Sequence, residues 1–366
     1  MAASVKIINP PARLKKEEYS EALNQYLNRF QNASGIKALA TMGSVKAPGL
    51  SDLDVIVVVN DDILPLSAKK LSTKGINDSI FLHGPIVIPE SLVSELQWII
   101  YATNIQVIWG SASFPKFSDL KYKYQSFLAG CYLVDFCESR MLQFSAMRTS
   151  GIANKREWLT RIWSVTHSID IAIEFLGYQA DENAAYLFDL VKAPRINWLN
   201  GEEVSDKQFI ESLDAAEKLN EILFIAGLGF LYKKEVEKIT DNLFLPPKKF
   251  IFSDNIDYIR YTAKTIRFLK KNITIWSCVQ DKRYFKHICD YRKFQDSNSC
   301  LDAKKESIQK YVMCKRAKTI GKHWKWIRKY AKKIGTMSGY LGYSNHDPIS
   351  LKYFAIRLLI KKLNFF

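Results

Sequence analysis

The chain has 366 residues and a mass of 42.1 kDa, with 48% hydrophobic and 25% charged residues, a balance that supplies cores for two or three domains and argues against intrinsic disorder. Its net charge of +16 is unevenly spread: residues 261–366 hold 25 Lys and Arg against 6 Asp and Glu, whereas residues 1–260 hold 28 against 31. The longest apolar stretch, Ile222 to Tyr232, falls short of the roughly 20 residues that a bilayer requires, and the amino terminus lacks the apolar core and cleavage site of a secretory signal. No transmembrane segment and a cytoplasmic location are therefore expected.

Leu14, Tyr19, Leu23, Tyr26, Leu27 and Phe30 recur at three-and-four spacing, which predicts a helix over 14–33. A strand follows over Ile36 to Met42, closed by Gly43-Ser44. The next strand, Leu53 to Val59, is apolar at every position except Asp54, as expected when both faces of a sheet are covered. A third strand is expected from Ile80 to Ile88, where Pro85 points to a sheet edge or a bulge. A fourth, Ile105 to Trp109, ends at Gly110.

From Tyr122 to Tyr178 the period becomes helical and predicts two long helices of a bundle, extended by Asn183 to Lys192 and Asp206 to Lys238 and ended at Pro246-Pro247. Beyond lie a short strand at Phe250 to Phe252, basic helical stretches, a loop from Gly335 to Pro348 and an amphipathic segment from Ile349 to Leu363. The expected class is α+β: a small mixed sheet over 1–118, a helical domain over 119–246 and a basic, mainly helical region over 247–366.

Asp52 and Asp54 stand one residue apart at the mouth of the second strand, so their side chains project to the same face. One of the two pKa values should rise unless a cation holds both carboxylates ionised. Mg²⁺, or Mn²⁺ in its place, suits such a pair, because it takes one or two protein carboxylates and completes its octahedron with substrate phosphates and water. Upstream, Gly43 lets backbone approach a ligand closely, Ser44 offers a hydroxyl and amide to phosphate oxygens, and Lys46 can add positive charge.

The order of helix, strand, Gly43-Ser44, short loop, Ser51-Asp52-Leu53-Asp54 and apolar strand resembles the nucleotidyltransferase superfamily, the minimal fold typified by DNA polymerase beta. The resemblance covers roughly residues 14–110 and implies a sheet of the nucleotidyltransferase type. It implies that Gly43, Ser44 and Ser51 belong to the nucleotide-binding segment. It also implies that Asp52 and Asp54 hold the metal ions for transfer of a nucleoside monophosphate from an NTP such as ATP, by in-line attack of a hydroxyl or phosphate acceptor. The family's third carboxylate is not evident. HGPIVIP offers His83 and Gly84 where it is expected, leaving His83, or a displaced Asp78 or Asp119, as base or ligand.

Other readings stand beside this one. The chain could be a catalytically reduced member that binds nucleotide or nucleic acid through its basic region. The Asp-x-Asp could instead belong to a nucleotide-sugar glycosyltransferase, which needs an extended parallel sheet upstream, or the two carboxylates could simply cap a strand. His167 reads as a core residue. Cys278, His287, Cys289 and Cys300 can be drawn as a zinc site but lack paired spacing, so ordinary thiols are the plainer reading. The basic stretches YRKFQ, KHWKWIRKYAKK and KYFAIRLLIKK interleave cations with aromatics, a footprint for nucleic acid or another polyanion rather than only a solvated helix face. Acceptor, base preference and oligomeric state are not written in the sequence.

Overall fold

The structure is a computed structural model that describes residues 5–30, 33–62, 71, 73, 75–82 and 84–232, scattered positions between 308 and 326, and 336–337 and 349–350. The described residues form two compact units. One holds 5–11 and 126–232; the other holds 12–125 with the described positions from 308 onward.

The second unit is built on a four-stranded mixed sheet. Its strands are β2 (Ile36–Met42), β3 (Asp54–Val59), β4 (Ile86–Pro89) and β5 (Gln106–Gly110), in the order β4-β3-β2-β5. β3 runs antiparallel to β2 and parallel to β4, while β2 pairs antiparallel with β5. The near-continuous apolar run of β3 has the cause expected: its odd residues Val55, Val57 and Val59 enter one core and its even residues Ile56 and Val58 enter another.

The first core is closed by α1 (Lys16–Asn28), which buries Tyr19, Ala22 and Tyr26. That helix starts where the Glu18 carboxylate accepts the Lys15 backbone N–H at 2.7 Å. On the other face, a 3₁₀ turn over Glu90–Glu95 and the short α2 (Leu96–Ile99) supply Leu92, Val93, Leu96 and Ile99. The third expected strand is shorter than its sequence promised. Ile80 and Phe81 lie in turn and coil and are buried in the first core, and pairing begins only after Pro85. The proline ring removes a ladder donor at the sheet edge, where β4 indeed lies.

The helical unit contains α3 (Tyr122–Ser150) from residue 126 onward, α4 (Lys155–Leu176), α5 (Glu182–Leu199) and α6 (Asp206–Tyr232). Polar side chains set three starts. Asn154 accepts from Glu157 N at 3.2 Å, Asp181 from Ala184 N at 2.7 Å, and Ser205 from Gln208 N at 3.1 Å. α5 runs past the expected stop at Lys192, through Pro194. Gly227 of α6 packs tightly against α3: an added Cβ would stand 3.0 Å from Val134 Cγ2, which would have to shift by a few tenths of an ångström.

An unexpected strand, β1 (Lys6–Ile8), pairs in parallel with β6 (Ile152–Asn154). Another short pair, β7 (Thr336–Met337) and β8 (Ile349–Ser350), replaces part of the expected loop and the start of the expected amphipathic segment. The expected strand at Phe250 to Phe252 and the cysteines of the drawn zinc site lie outside the described residues.

Candidate functional site

The loop between β2 and β3 is a closed structure. Gly43 adopts φ +79°, a left-handed conformation that favours glycine, and its N–H donates to Thr103 O at 3.1 Å. Ser44 and Lys46 are exposed. Beyond them the chain folds back on itself: Ser51 N donates to Ala47 O at 2.7 Å, and the Ser51 hydroxyl accepts from Ala47 N at 3.1 Å. Ser51 is therefore buried as a brace of the loop, with its side chain turned to backbone. From α1, the Tyr19 hydroxyl reaches the same loop through Ser51 O and Gly49 N.

Asp54 opens β3 opposite Met42, the last residue of β2, and both Asp52 and Asp54 are half-buried. The Gly43 turn and the aspartate pair thus lie at one end of the sheet, as the motif order required. Between them Leu53 donates its N–H to Ile80 O at 3.0 Å.

The face that Asp54 shares with Ile56 is otherwise apolar. Met42 and Ile56 pack with Ile86 of β4, and Ile105 and Val107 pack against the same core from the β5 side. Neither neighbouring strand brings an acid to this face. Among the described residues, no group of three or more His, Cys, Asp or Glu side chains is gathered closely enough to hold a metal ion. The two-metal in-line transfer expected from the resemblance is overturned by this arrangement, since a metal pair needs bridging carboxylates on the wall that Ile86, Ile105 and Val107 occupy.

The displaced acids do not repair the gap. Asp78 is exposed, and Asp119 spends a carboxylate oxygen on Lys116 N at 2.7 Å, capping a short 3₁₀ turn. His83 lies outside the described residues.

What the sequence reading missed is the use made of the basic carboxyl-terminal third. Described positions between 308 and 326 are helical and pack on the β4 side of the sheet-bearing unit. The ring nitrogen Nε2 of His323 donates to Val87 O of the edge strand at 2.8 Å, and Trp326 Nε1 donates to Asp61 O at 3.0 Å. Glu95 is the anchor: it accepts from Thr319 Oγ1 at 2.6 Å, Lys315 Nζ at 3.0 Å and Lys322 Nζ at 3.1 Å. Burial works to raise the Glu95 pKa, but the hydrogen bonds from Thr319, Lys315 and Lys322 outweigh it and hold the carboxyl down to about 2. The signal available in the sequence was an acid, Glu95, set inside the apolar run LVSELQWII, where a buried carboxylate calls for cations.

No protein-family model, curated protein or solved structure matches this chain. No helix among the described residues is long and apolar enough to cross a membrane.

Proposed function

We propose that this protein is a nucleotidyltransferase-like chain reduced to binding: it holds a nucleotide or nucleic-acid phosphate at the Gly43-Ser44 turn and recognises a polyanionic partner through its basic carboxyl-terminal region. The observation that carries this reading is the division of the site. The loop is braced internally and presents Ser44 and Lys46 on its exposed side, while the sheet face beside Asp54 is finished in Met42, Ile56, Ile86, Ile105 and Val107. A chain that moved nucleotidyl groups by two metals would need carboxylates there.

Asp52 and Asp54 suit a different task. Two half-buried carboxylates are enough for one Mg²⁺ or Mn²⁺ that shares its remaining coordination with ligand phosphates and water. In this role they orient a triphosphate against the exposed Ser44 and Lys46.

The test is equilibrium binding of labelled ATP, GTP, CTP and UTP to the full chain with and without Mg²⁺, alongside a transfer assay with the same nucleotides. The expected result is Mg²⁺-dependent binding that Asp52→Asn and Asp54→Asn weaken, with no transferred product. A nucleotidylated product that the same substitutions abolish overturns the reading. So does failure of the wild type to bind any NTP or nucleic acid.

A further inference from the structure

The sequence KYKYQ, Lys121 to Gln125, alternates cations with tyrosines, and the fold brings the second of these tyrosines, Tyr124, to a ring from a distant part of the chain. Tyr124, in the first turn of α3, lies with its ring centroid 5.0 Å from that of Tyr311 at an interplanar angle of 32°. Trp98 of α2 backs both rings, with centroids 6.3 Å from Tyr124 and 6.4 Å from Tyr311. Trp98 is buried at 8% exposure, but Tyr311 is 41% exposed; outside this set of three rings, Tyr122, two residues before Tyr124 in the chain, is 77% exposed.

Cations border these rings. Lys123 Nζ stands 5.4 Å from the Tyr124 centroid and Lys315 Nζ 5.9 Å from that of Trp98. Lys121 and Lys318 are exposed nearby in the same chain segments. Two acids stand against these lysines: Glu95, which faces Lys315 and Lys322 together, and Asp119, which accepts from Lys116 N and keeps its charge. One carboxylate shared between two ammonium groups leaves a positive surplus beside exposed aromatic faces.

We propose that this corner is a stacking platform for single-stranded nucleic acid, in which unpaired bases stack on Tyr311 and Tyr122 while Lys121, Lys123 and Lys318 meet the phosphates. A single strand fits where a duplex does not, because the rings offer π-faces that only splayed-out bases can use, and stacking of that kind tolerates any sequence. An anionic membrane would use the lysines but has no call on a paired tyrosine face. The inference rests on the nucleic-acid half of the reading above and deepens it by naming the surface and the strandedness.

The experiment is a fluorescence-anisotropy titration of the full chain with a labelled 20-nucleotide poly(U) or poly(dT) strand, a duplex of equal length, and vesicles containing phosphatidylserine. The variants are Tyr311→Ala, Tyr311→Phe and Tyr122→Ala, the last at a position too exposed for its loss to disturb folding. Single-strand affinity is expected to fall roughly 5- to 150-fold in Tyr311→Ala, the span of one lost base stack. Tyr122→Ala should weaken it as well, and Tyr311→Phe should restore wild-type affinity. Wild-type binding to single strands that neither alanine variant changes, binding equal for strand and duplex, or binding confined to vesicles each overturns the platform. Of these, the first two leave nucleic-acid recognition standing. A wild type that binds neither strand nor duplex removes both the platform and the nucleic-acid reading beneath it.

Discussion

The hydroxyl of Tyr19 donates to the backbone carbonyl of Ser51 at 2.6 Å and at the same time accepts the Gly49 N–H at 3.0 Å. One helix residue thereby satisfies two polar groups of the loop that separates Gly43 from Asp52. Tyr19→Phe keeps the buried ring and deletes both bonds in a buried site. The expected cost is about 1–3 kcal/mol in a urea titration. If the loop binds phosphate as proposed, NTP affinity falls with it; unchanged stability would remove Tyr19 as the loop's tether.

Gly43 and Gly110 both have positive φ but should respond differently to alanine. Around Gly43 nothing lies within 4 Å of an added Cβ, so Gly43→Ala pays only for backbone strain, about 1–2 kcal/mol. At Gly110 the new carbon would sit 2.0 Å from Lys37 O on the neighbouring strand, forcing β5 away from β2. Gly110→Ala is expected to be the more damaging by a clear margin, which comparison of the two denaturant midpoints checks directly.

Acid should loosen the sheet-bearing unit in two steps. Burial lowers the His323 pKa from 6.5 to about 4 despite the hydrogen bond to Val87 O, which favours the charged ring. A carbonyl can only accept, so Nε2 carries the proton of the neutral ring, and Nδ1 is buried with no hydrogen-bond partner. The unfolded chain therefore takes up a proton first. Stability is fully present above pH 6.5 and falls as the pH drops towards 4. Glu95, with a folded pKa of about 2 against 4.5, continues the loss from pH 4.5 downward. Pulse-labelled hydrogen exchange of peptides from residues 36–110, after equilibration at each pH, should show the upper step vanish in His323→Gln and the lower one in Glu95→Gln.

The helical unit should show the opposite trend. Glu221 on α6 is pushed up to about 8, first by burial and then by the charge of Glu217, whose own carboxylate pairs with Arg148 at 2.7 Å. Its folded form holds a proton that the unfolded chain releases near 4.5. That contribution is complete below pH 4.5 and is lost as the pH rises through 8. Glu221→Gln should flatten this slope in peptides from residues 206–232; a variant that keeps the wild-type slope assigns it to another group.

Much of the sheet was legible because its rules are local. β2 begins at Ile36 and ends at Met42 as expected, since Gly43 punctuates it, and the two-sided burial of β3 was written in its unbroken valines and isoleucines. The pairing of Lys6 with Ile152 had no such signature: three-residue strands carry no periodicity, and their partner is chosen by distant chain. α5 passed through Pro194 although the local rule predicted a break near Lys192. The candidate site was legible as a turn followed by two acids, but what surrounds Asp54 depended on register. Which residues of β4 and β5 flank Ile56 and Met42 is set by strand order, and that order delivers isoleucine and valine.

The parallel pairing of β1 with β6 gives the molecule an interleaved path. Its amino-terminal strand belongs with the helices, and the sheet is inserted between that strand and the chain that completes it. During synthesis, Lys6 to Ile8 leave the ribosome well before Ile152 to Asn154 exist, so the growing chain carries an unmatched strand while the sheet residues emerge. Cutting the finished chain once near residue 12 leaves the sheet covalently joined to the helices, and cutting it once near residue 125 leaves the sheet joined to β1. Only two cuts separate residues 12–125 from both.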